Sequence, residues 1–491
     1  MGLLKPFDLC IVGLYLLGIS IIGARFYRKN AGLQEYLLGS KTMQWFPVAL
    51  SILAADASAI SYLGVPAWSF QHDLKLNQQI FTCLFAIPIV VWLFLPIYSK
   101  ANIYTAYQYL ETRFDLRVRL IASVFFLILR GAHVAVVIYA PALMMSELMN
   151  VPLRFSILVM GLLTAFYTMM GGIRGVIWTD AIQVFTVLIG FGTVTVSVLN
   201  HIPGGIHELW ETGNAAGKFQ FFDFSLQLNQ IDNFWALLIG GIVLNIQAMS
   251  TDQAVLQKFF TTKSARETAK SLVFYGVVLM PLMTMLSVLG VLLFVLYSSR
   301  PELKASLQNA DAIVPHYAAH LLPTGIAGLV VASIFAGSMS TVSASLNSLA
   351  TSSVVDIYQR LIRRNRSDRH YALASRWATF LWGLLATVGA LHAGALGSLI
   401  LAFTRIQSFI GGIILGIFVL GISTSRVTSA GALVGAGVGT LFVAYCAIYS
   451  DLSLYWFCVL GCLATVSGAW LYSRLFSTPA TSGEPPILAE S

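Results

Sequence analysis

The stretch LSILAADASAISYLGVPAW, residues 50–68, decides the fold. It is apolar enough for a lipid bilayer, yet Asp56, Ser58 and Ser61 sit in its middle among alanines, and Gly64 and Pro66 follow. A charge at the bilayer centre costs about 2.5–3.5 kcal/mol on insertion scales, so such residues face the protein interior and serve function. A polar-centred span interrupted by Gly and Pro reads as a discontinuous helix. Its unwound carbonyls can hold a cation, and its half-helix ends can face a substrate. The plainer alternative is a kinked packing helix with Asp56 paired to a basic neighbour.

The rest of the chain supports a membrane setting. Of 491 residues, 57% are hydrophobic and only 10% charged, against roughly 25% charged in soluble domains; the mean hydropathy is +0.79. A helical span needs about 20 apolar residues. Thirteen stretches qualify: 7–27, 45–68, 77–99, 119–149, 152–171, 175–200, 233–259, 271–299, 324–356, 371–394, 400–423, 427–449 and 452–474. Only helices and closed barrels satisfy backbone hydrogen bonds in lipid. Barrel strands alternate apolar and polar positions, whereas runs such as LFAIPIVVWLFLPIY, residues 84–98, are unbroken. The expected fold is an all-α polytopic bundle, one transmembrane domain over residues 1–475, with a polar, disordered cytoplasmic tail over 476–491. No segment between spans is long enough for a soluble domain, and no GxxxxGK[ST] run occurs. Uphill transport would therefore draw on an ion gradient.

The net charge of +8 is topological. With the first loop (Arg25, Arg28, Lys29, Lys41) cytoplasmic, 20 of the 29 Lys and Arg fall inside and 6 outside, while Arg130, Arg376 and Arg405 lie within spans. This obeys the positive-inside rule. It puts the N-terminus outside and the C-terminus inside, and it asks for no nucleic acid. The first span is too long for a signal-peptide core, and its charges follow it. The five cysteines, Cys10, Cys83, Cys446, Cys458 and Cys462, lie in or beside spans and read as packing residues.

Other polar positions are candidates. Asp180 lies five residues into GVIWTDAIQ, residues 175–183. A cation or an arginine would offset its charge, or it could reach cytoplasmic water. The run GSMSTVSASLNSLATSS, residues 337–353, places nine hydroxyls in 16 residues. Such hydroxyls can ligate a hard cation or merely bond back to the i−4 carbonyl. Asn245 and Gln247 lie mid-span after Gly240 and Gly241, His133 and Arg130 share the fourth span, and Arg405 precedes Gly411 and Gly412. The second and seventh spans are both polar-broken and each opens a group of five, the pattern of two inverted repeats around a midplane site. The repeats would cover roughly 45–200 and 233–423. No HExxH motif or nucleophile–base constellation points to an enzyme.

Three blocks carry a resemblance: TAYQYLETRFDLRVRL (105–120), FYTMMGGIRGVIWTDAIQ (166–183) and GIAGLVVASIFAGSMSTVSASLNSLATSSVVDIY (325–358). In this order they resemble the sodium/solute symporter family, which includes sialic acid, proline, galactose, monocarboxylate, vitamin and iodide transporters. The resemblance runs from about residue 7 to about 475. It implies a LeuT-like core of two inverted five-helix repeats, preceded by one helix and followed by two. It implies sodium, bound by the carbonyls of Ala54, Ala57 and Gly337 and the hydroxyls of Ser340 and Thr341. Some members hold a second sodium at the position of Asp180 with Ser340 and Ser343. Here the next residue is Ala344, without a hydroxyl, which favours one sodium. The candidate solute contacts are Asp56, Ser58, Ser61, His133 and Gln247; Asp56 stands where the family usually carries a small hydroxyl residue, although proline symporters carry an aspartate there that supports sodium binding. His133 matches an arginine of sialic acid symporters, and Arg405 stands as the candidate carboxylate clamp or as an ion-pair partner of Asp56. The expected activity is sodium-coupled import of a small organic solute, a carboxylate such as sialic acid or a monocarboxylate. The alternatives are a neutral or zwitterionic solute, or proton coupling through Asp56, Asp180 or His133. The expected setting is a bacterial inner membrane, with the protein acting as a monomer.

Overall fold

A computed structural model describes residues 4–25, 32–100, 103–149, 151–307 and 309–476. The expected tail beyond Phe476 lies outside the described residues. The described chain is almost wholly helical, with one isolated β-bridge between Met43 and Thr262. Its main helices are α1 (Pro6–Arg25), α2 (Trp45–Asp56), α3 (Ala59–Gln71), α4 (Lys75–Lys100), α5 (Leu116–Met149), α6 (Leu153–His201) and α7 (Ala236–Ser250). They continue with α8 (Ala265–Ser298), α9 (Ile326–Ser352), α10 (Asp368–Ala390), α11 (Leu399–Ser423), α12 (Ser429–Tyr449) and α13 (Leu454–Phe476).

Nine of the described helices are long and apolar enough to cross a membrane, or ten when α2 and α3 count as one bent span. The sequence suggested thirteen, and three elements account for the difference. Helix α6 has 49 residues, about 73 Å at 1.5 Å per residue and more than twice a bilayer core of about 30 Å. Gly172 breaks it with φ 59° and ψ −174°, a conformation that favours glycine. Helix α7 is short because the chain breaks at Thr251–Asp252 before resuming as Gln253–Phe259. Helix α10 carries Arg376, which lowers its hydropathy.

Polarity is arranged inside out relative to a soluble protein. Large apolar side chains such as Trp92, Leu441 and Ile448 are more than 70% exposed, as a lipid-facing surface requires. The hydroxyl-rich α9 is buried throughout from Val330 to Ser352. It packs against α1, α2, α3, α5, α6 and α10. Glycines allow these approaches. A Cβ on Gly337 would stand 2.6 Å from the Tyr62 ring of α3, where side-chain atoms do not fit. At the end of α9, Asp356 accepts from Thr105 at 2.6 Å and from Arg119 Nε at 2.9 Å, and Arg119 also reaches Glu111 and the Val355 carbonyl. This buried network ties α9 to the start of α5.

Candidate functional site

The break between α2 and α3 bends the span by 53°. Ala57 leaves helical geometry, and Ser58 is extended and caps α3 by accepting from the Ile60 N–H at 3.2 Å. Serine suits that position because its short hydroxyl satisfies an orphan donor of the first turn. Carbonyls at the end of α2 thereby lose their helical partners. Two of them face α9: the Thr341 hydroxyl lies 3.4 Å from the Ala54 carbonyl oxygen and 3.1 Å from that of Ala55, while also 3.2 Å from that of Gly337. Three carbonyl oxygens and one hydroxyl thus converge between the broken span and α9, a donor set suited to a hard monovalent cation. Ala55 was not among the sequence candidates. Ala57 is buried at the break, with its N–H on the Leu53 carbonyl at 2.8 Å.

Ser340 turns away from this cluster. Its hydroxyl donates to Asp180 Oδ1 at 2.7 Å, the Ser51 hydroxyl donates to Asp180 Oδ2 at 2.6 Å, and the Lys258 ammonium donates to Oδ2 at 3.0 Å and to the Ser51 carbonyl at 2.5 Å. Asp180 and Lys258 are both fully buried. The position expected for a second sodium at Asp180 therefore holds the chain's own ammonium. Ser343 also departs from that expectation, donating to the Ser340 carbonyl at 3.0 Å. Lys258, near the end of the seventh span, joins α2, α6 and α9 through one carboxylate.

Beside the break lies a cavity that opens to one side. Asp56, Ser58 and Ser61 line it, with Gln79, Asn245, Phe403, Thr404, Gln407 and Tyr455 among the other lining groups. Asp56 Oδ2 accepts from the Tyr275 hydroxyl of α8 at 2.9 Å. Gln247 is one shell behind: its Oε1 accepts from Gln407 Nε2 at 2.7 Å, and its Nε2 donates to Thr251 Oγ1 at 3.1 Å.

His133 and Arg405 do not reach the cavity. Arg130 binds His133 Nδ1 at 2.6 Å and forms an ion pair with Asp252, the residue that caps Gln253–Phe259 by accepting from the Ala254 N–H at 2.8 Å. His133 thus belongs to the break in the seventh span. The same break is held by the Tyr98 hydroxyl on the Ser250 carbonyl at 2.5 Å and the Tyr107 hydroxyl on the Thr251 carbonyl at 3.0 Å. On α11 the cavity face is Ile400, Phe403, Thr404 and Gln407, an i, i+3, i+4, i+7 stripe. Arg405 lies off that stripe and is exposed. Asp56 pairs with Tyr275 rather than with Arg405. That stripe was a legible signal for the cavity residues of α11; the guanidinium drew attention to the wrong face. Among the described residues no group of His, Cys, Asp and Glu could hold a metal ion.

Comparison with known proteins places this geometry. Residues 36–439 match the sodium:solute symporter family. The chain is 29% identical over 475 residues to the sodium/sialic acid symporter NanT of Aliivibrio fischeri, covering 96% of this chain and 93% of that protein. It is 31% identical over 409 residues to human sodium-coupled monocarboxylate transporter 1, covering 83% of this chain and 67% of that one. A substrate-bound, outward-open sodium-coupled sialic acid symporter superposes with a TM-score of 0.90 at 28% identity, covering 98% of this chain and 100% of that one. Mhp1, a nucleobase-cation-symport-1 family transporter, shares the fold at a TM-score of 0.54 and 12% identity. With the break, the facing hydroxyl and the cavity in place, the chain belongs to the sodium:solute symporter family.

Proposed function

We propose that this chain imports a small organic carboxylate together with one sodium ion by alternating access. The observation that carries the reading is the convergence of the Ala54, Ala55 and Gly337 carbonyls on the Thr341 hydroxyl beside an open cavity. Sodium entering between these oxygens replaces the hydroxyl's own hydrogen bonds and bridges the broken span to α9. It binds better where the two elements are close, so it shifts the population toward that state through its differential affinity. Reciprocity then requires solute to tighten sodium binding by the same factor. The carboxylate is supported by the named solutes of the sialic acid and monocarboxylate relatives. A single ion is supported by the Lys258 ammonium, which already offsets the Asp180 charge.

The proposed topology counts α6 as two crossings and α7 with Gln253–Phe259 as one, giving thirteen, with repeats over roughly 45–200 and 233–423. The N-terminus would then be outside, the C-terminus inside, and the monomeric transporter would sit in a bacterial inner membrane. Sodium-gradient-driven uptake into proteoliposomes, with sialic acids, monocarboxylates and amino carboxylates as probes, tests this. Uptake should require inward sodium. Uptake that persists without sodium and collapses with the pH gradient would select proton coupling instead.

A further inference from the structure

We infer that the imported solute carries a protonated amine, which the Asp56 carboxylate receives. This rests on the proposed import of a small carboxylate and narrows the solute to an amino carboxylate. The first observation is charge. Asp56 lies about 16 Å along α2 from Trp45 at 1.5 Å per residue, near the middle of a bilayer core of about 30 Å. Its side chain borders the cavity, and no Lys, Arg or His lines that cavity. The buried cations around it are committed elsewhere, Arg130 to Asp252 and Lys258 to Asp180. A carboxylate at that depth needs a positive partner, and the cavity is where a partner can come from.

The second observation is the balance of donors and acceptors. Tyr275 donates to Asp56 Oδ2 at 2.9 Å, and no described group bonds Oδ1. Gln407 spends one of its two N–H groups on Gln247 at 2.7 Å. Asn245 spends its own on Thr82 at 2.7 Å and on the Gly241 carbonyl at 3.0 Å. These amides therefore keep their carbonyl oxygens for the cavity, where they accept only the weak Cys83 thiol at 3.7 Å, on Asn245. Donors remain at Ser58, at the second N–H of Gln407 and at the Gln79 amide, whose oxygen already accepts from Tyr455 at 2.8 Å, while the Ser61 hydroxyl points to the Asp56 carbonyl oxygen at 3.5 Å. The Asp56 carboxylate and these free carbonyl oxygens suit an ammonium, and the remaining donors suit a carboxylate.

The third observation separates this role from sodium. Ala54 and Ala55 turn their carbonyls to Thr341 on α9, whereas the Asp56 side chain meets Tyr275 on α8. Thr341 is not part of the cavity wall. The carboxylate and the proposed sodium cluster occupy different sides of the break.

The test uses isosteric pairs that differ only in the amine: alanine against isobutyrate, proline against cyclopentanecarboxylate, 4-aminobutyrate against pentanoate. Stabilisation of the purified, full-length protein against heat is titrated with each, in saturating sodium and in potassium. At least one amine-bearing member should bind at least tenfold more tightly than its isostere, in sodium only, and Asp56→Asn should abolish that preference. Sodium-dependent binding of propionate, lactate or N-acetylneuraminate, with no preference for any amine, overturns the inference and leaves carboxylate import standing. A preference that survives Asp56→Asn also overturns it. The wild-type comparison decides even if the variant does not fold. If neither sodium nor any probe stabilises the protein, the import reading falls and takes the inference with it.

Discussion

Gly337→Ala probes the contact on which sodium coupling depends. Gly337 faces Tyr62, and a Cβ there would lie 2.6 and 2.7 Å from two ring carbons, about 0.8 Å short of ordinary contact at 3.4 Å. The ring has nowhere to go. Tyr62 is 2% exposed and stacks on Phe191 with centroids 4.8 Å apart. Helix α9 must therefore retreat from the broken span by most of that distance. The oxygen cluster spans the same gap, with Thr341 at 3.1–3.4 Å from the Ala54 and Ala55 carbonyls. A retreat of this size pulls one wall of the ion site off the other. Overpacking costs about 1–3 kcal/mol. If that cost falls on the sodium-bound, closely packed state, sodium affinity drops roughly 5-fold to 150-fold. The assay is the sodium concentration for half-maximal solute uptake in proteoliposomes. Gly437→Ala on α12, where a Cβ meets nothing within 4 Å, serves as the control. A half-maximal sodium concentration for Gly337→Ala within twofold of wild type, at equal protein in the membrane, would refute the reasoning.

Four further outcomes are expected. Lys258→Met leaves a buried Asp180 charge unpaired, worth about 3–5 kcal/mol of stability; the melting temperature in detergent should fall sharply, and the double variant Asp180→Asn/Lys258→Met should recover much of the loss. Arg405→Lys should leave apparent solute affinity within twofold, because the side chain is exposed and off the cavity stripe; a tenfold loss would return Arg405 to the binding site. Gln407→Ala removes a cavity wall and the partner of Gln247, so the half-saturating solute concentration should rise about tenfold, in line with 1–3 kcal/mol for an amide left unpaired. Arg130→Lys loses the planar fork that holds both His133 and Asp252, so maximal uptake should drop severalfold, whereas an unchanged rate would show that this link is dispensable.

The broken second span was legible because Asp56, Ser58 and Ser61 are costly in lipid, and they do line the cavity. The site of the break was less so. Gly64 and Pro66 lie inside α3, and the chain opens at Ala57–Ser58, where a serine can cap the next half-helix. The seventh span repeats the lesson. Gly240 and Gly241 permit close approach to Tyr455 and Thr82, whereas the break comes at Thr251–Asp252, where an aspartate caps. At these two spans glycines mark contacts and capping side chains mark breaks, whereas in α6 Gly172 is itself the break. Lys258 was illegible because a lysine near a span end reads as a loop charge, and only its tertiary partner Asp180 reveals its burial. Arg405 misled for the opposite reason: an intramembrane cation suggests a site, but its face on α11 is set by the Ile400–Gln407 stripe.

Direct binding of radioactive sodium to the purified protein tests the central claim most plainly. The account predicts saturable binding of one ion per chain, tightened by solute. Thr341→Ala should weaken it by about tenfold or more, since a polar contact to a charged group contributes about 1.5–3 kcal/mol, and Thr341→Ser should retain most of it. Wild-type affinity in Thr341→Ala would contradict a cation held between the broken span and α9.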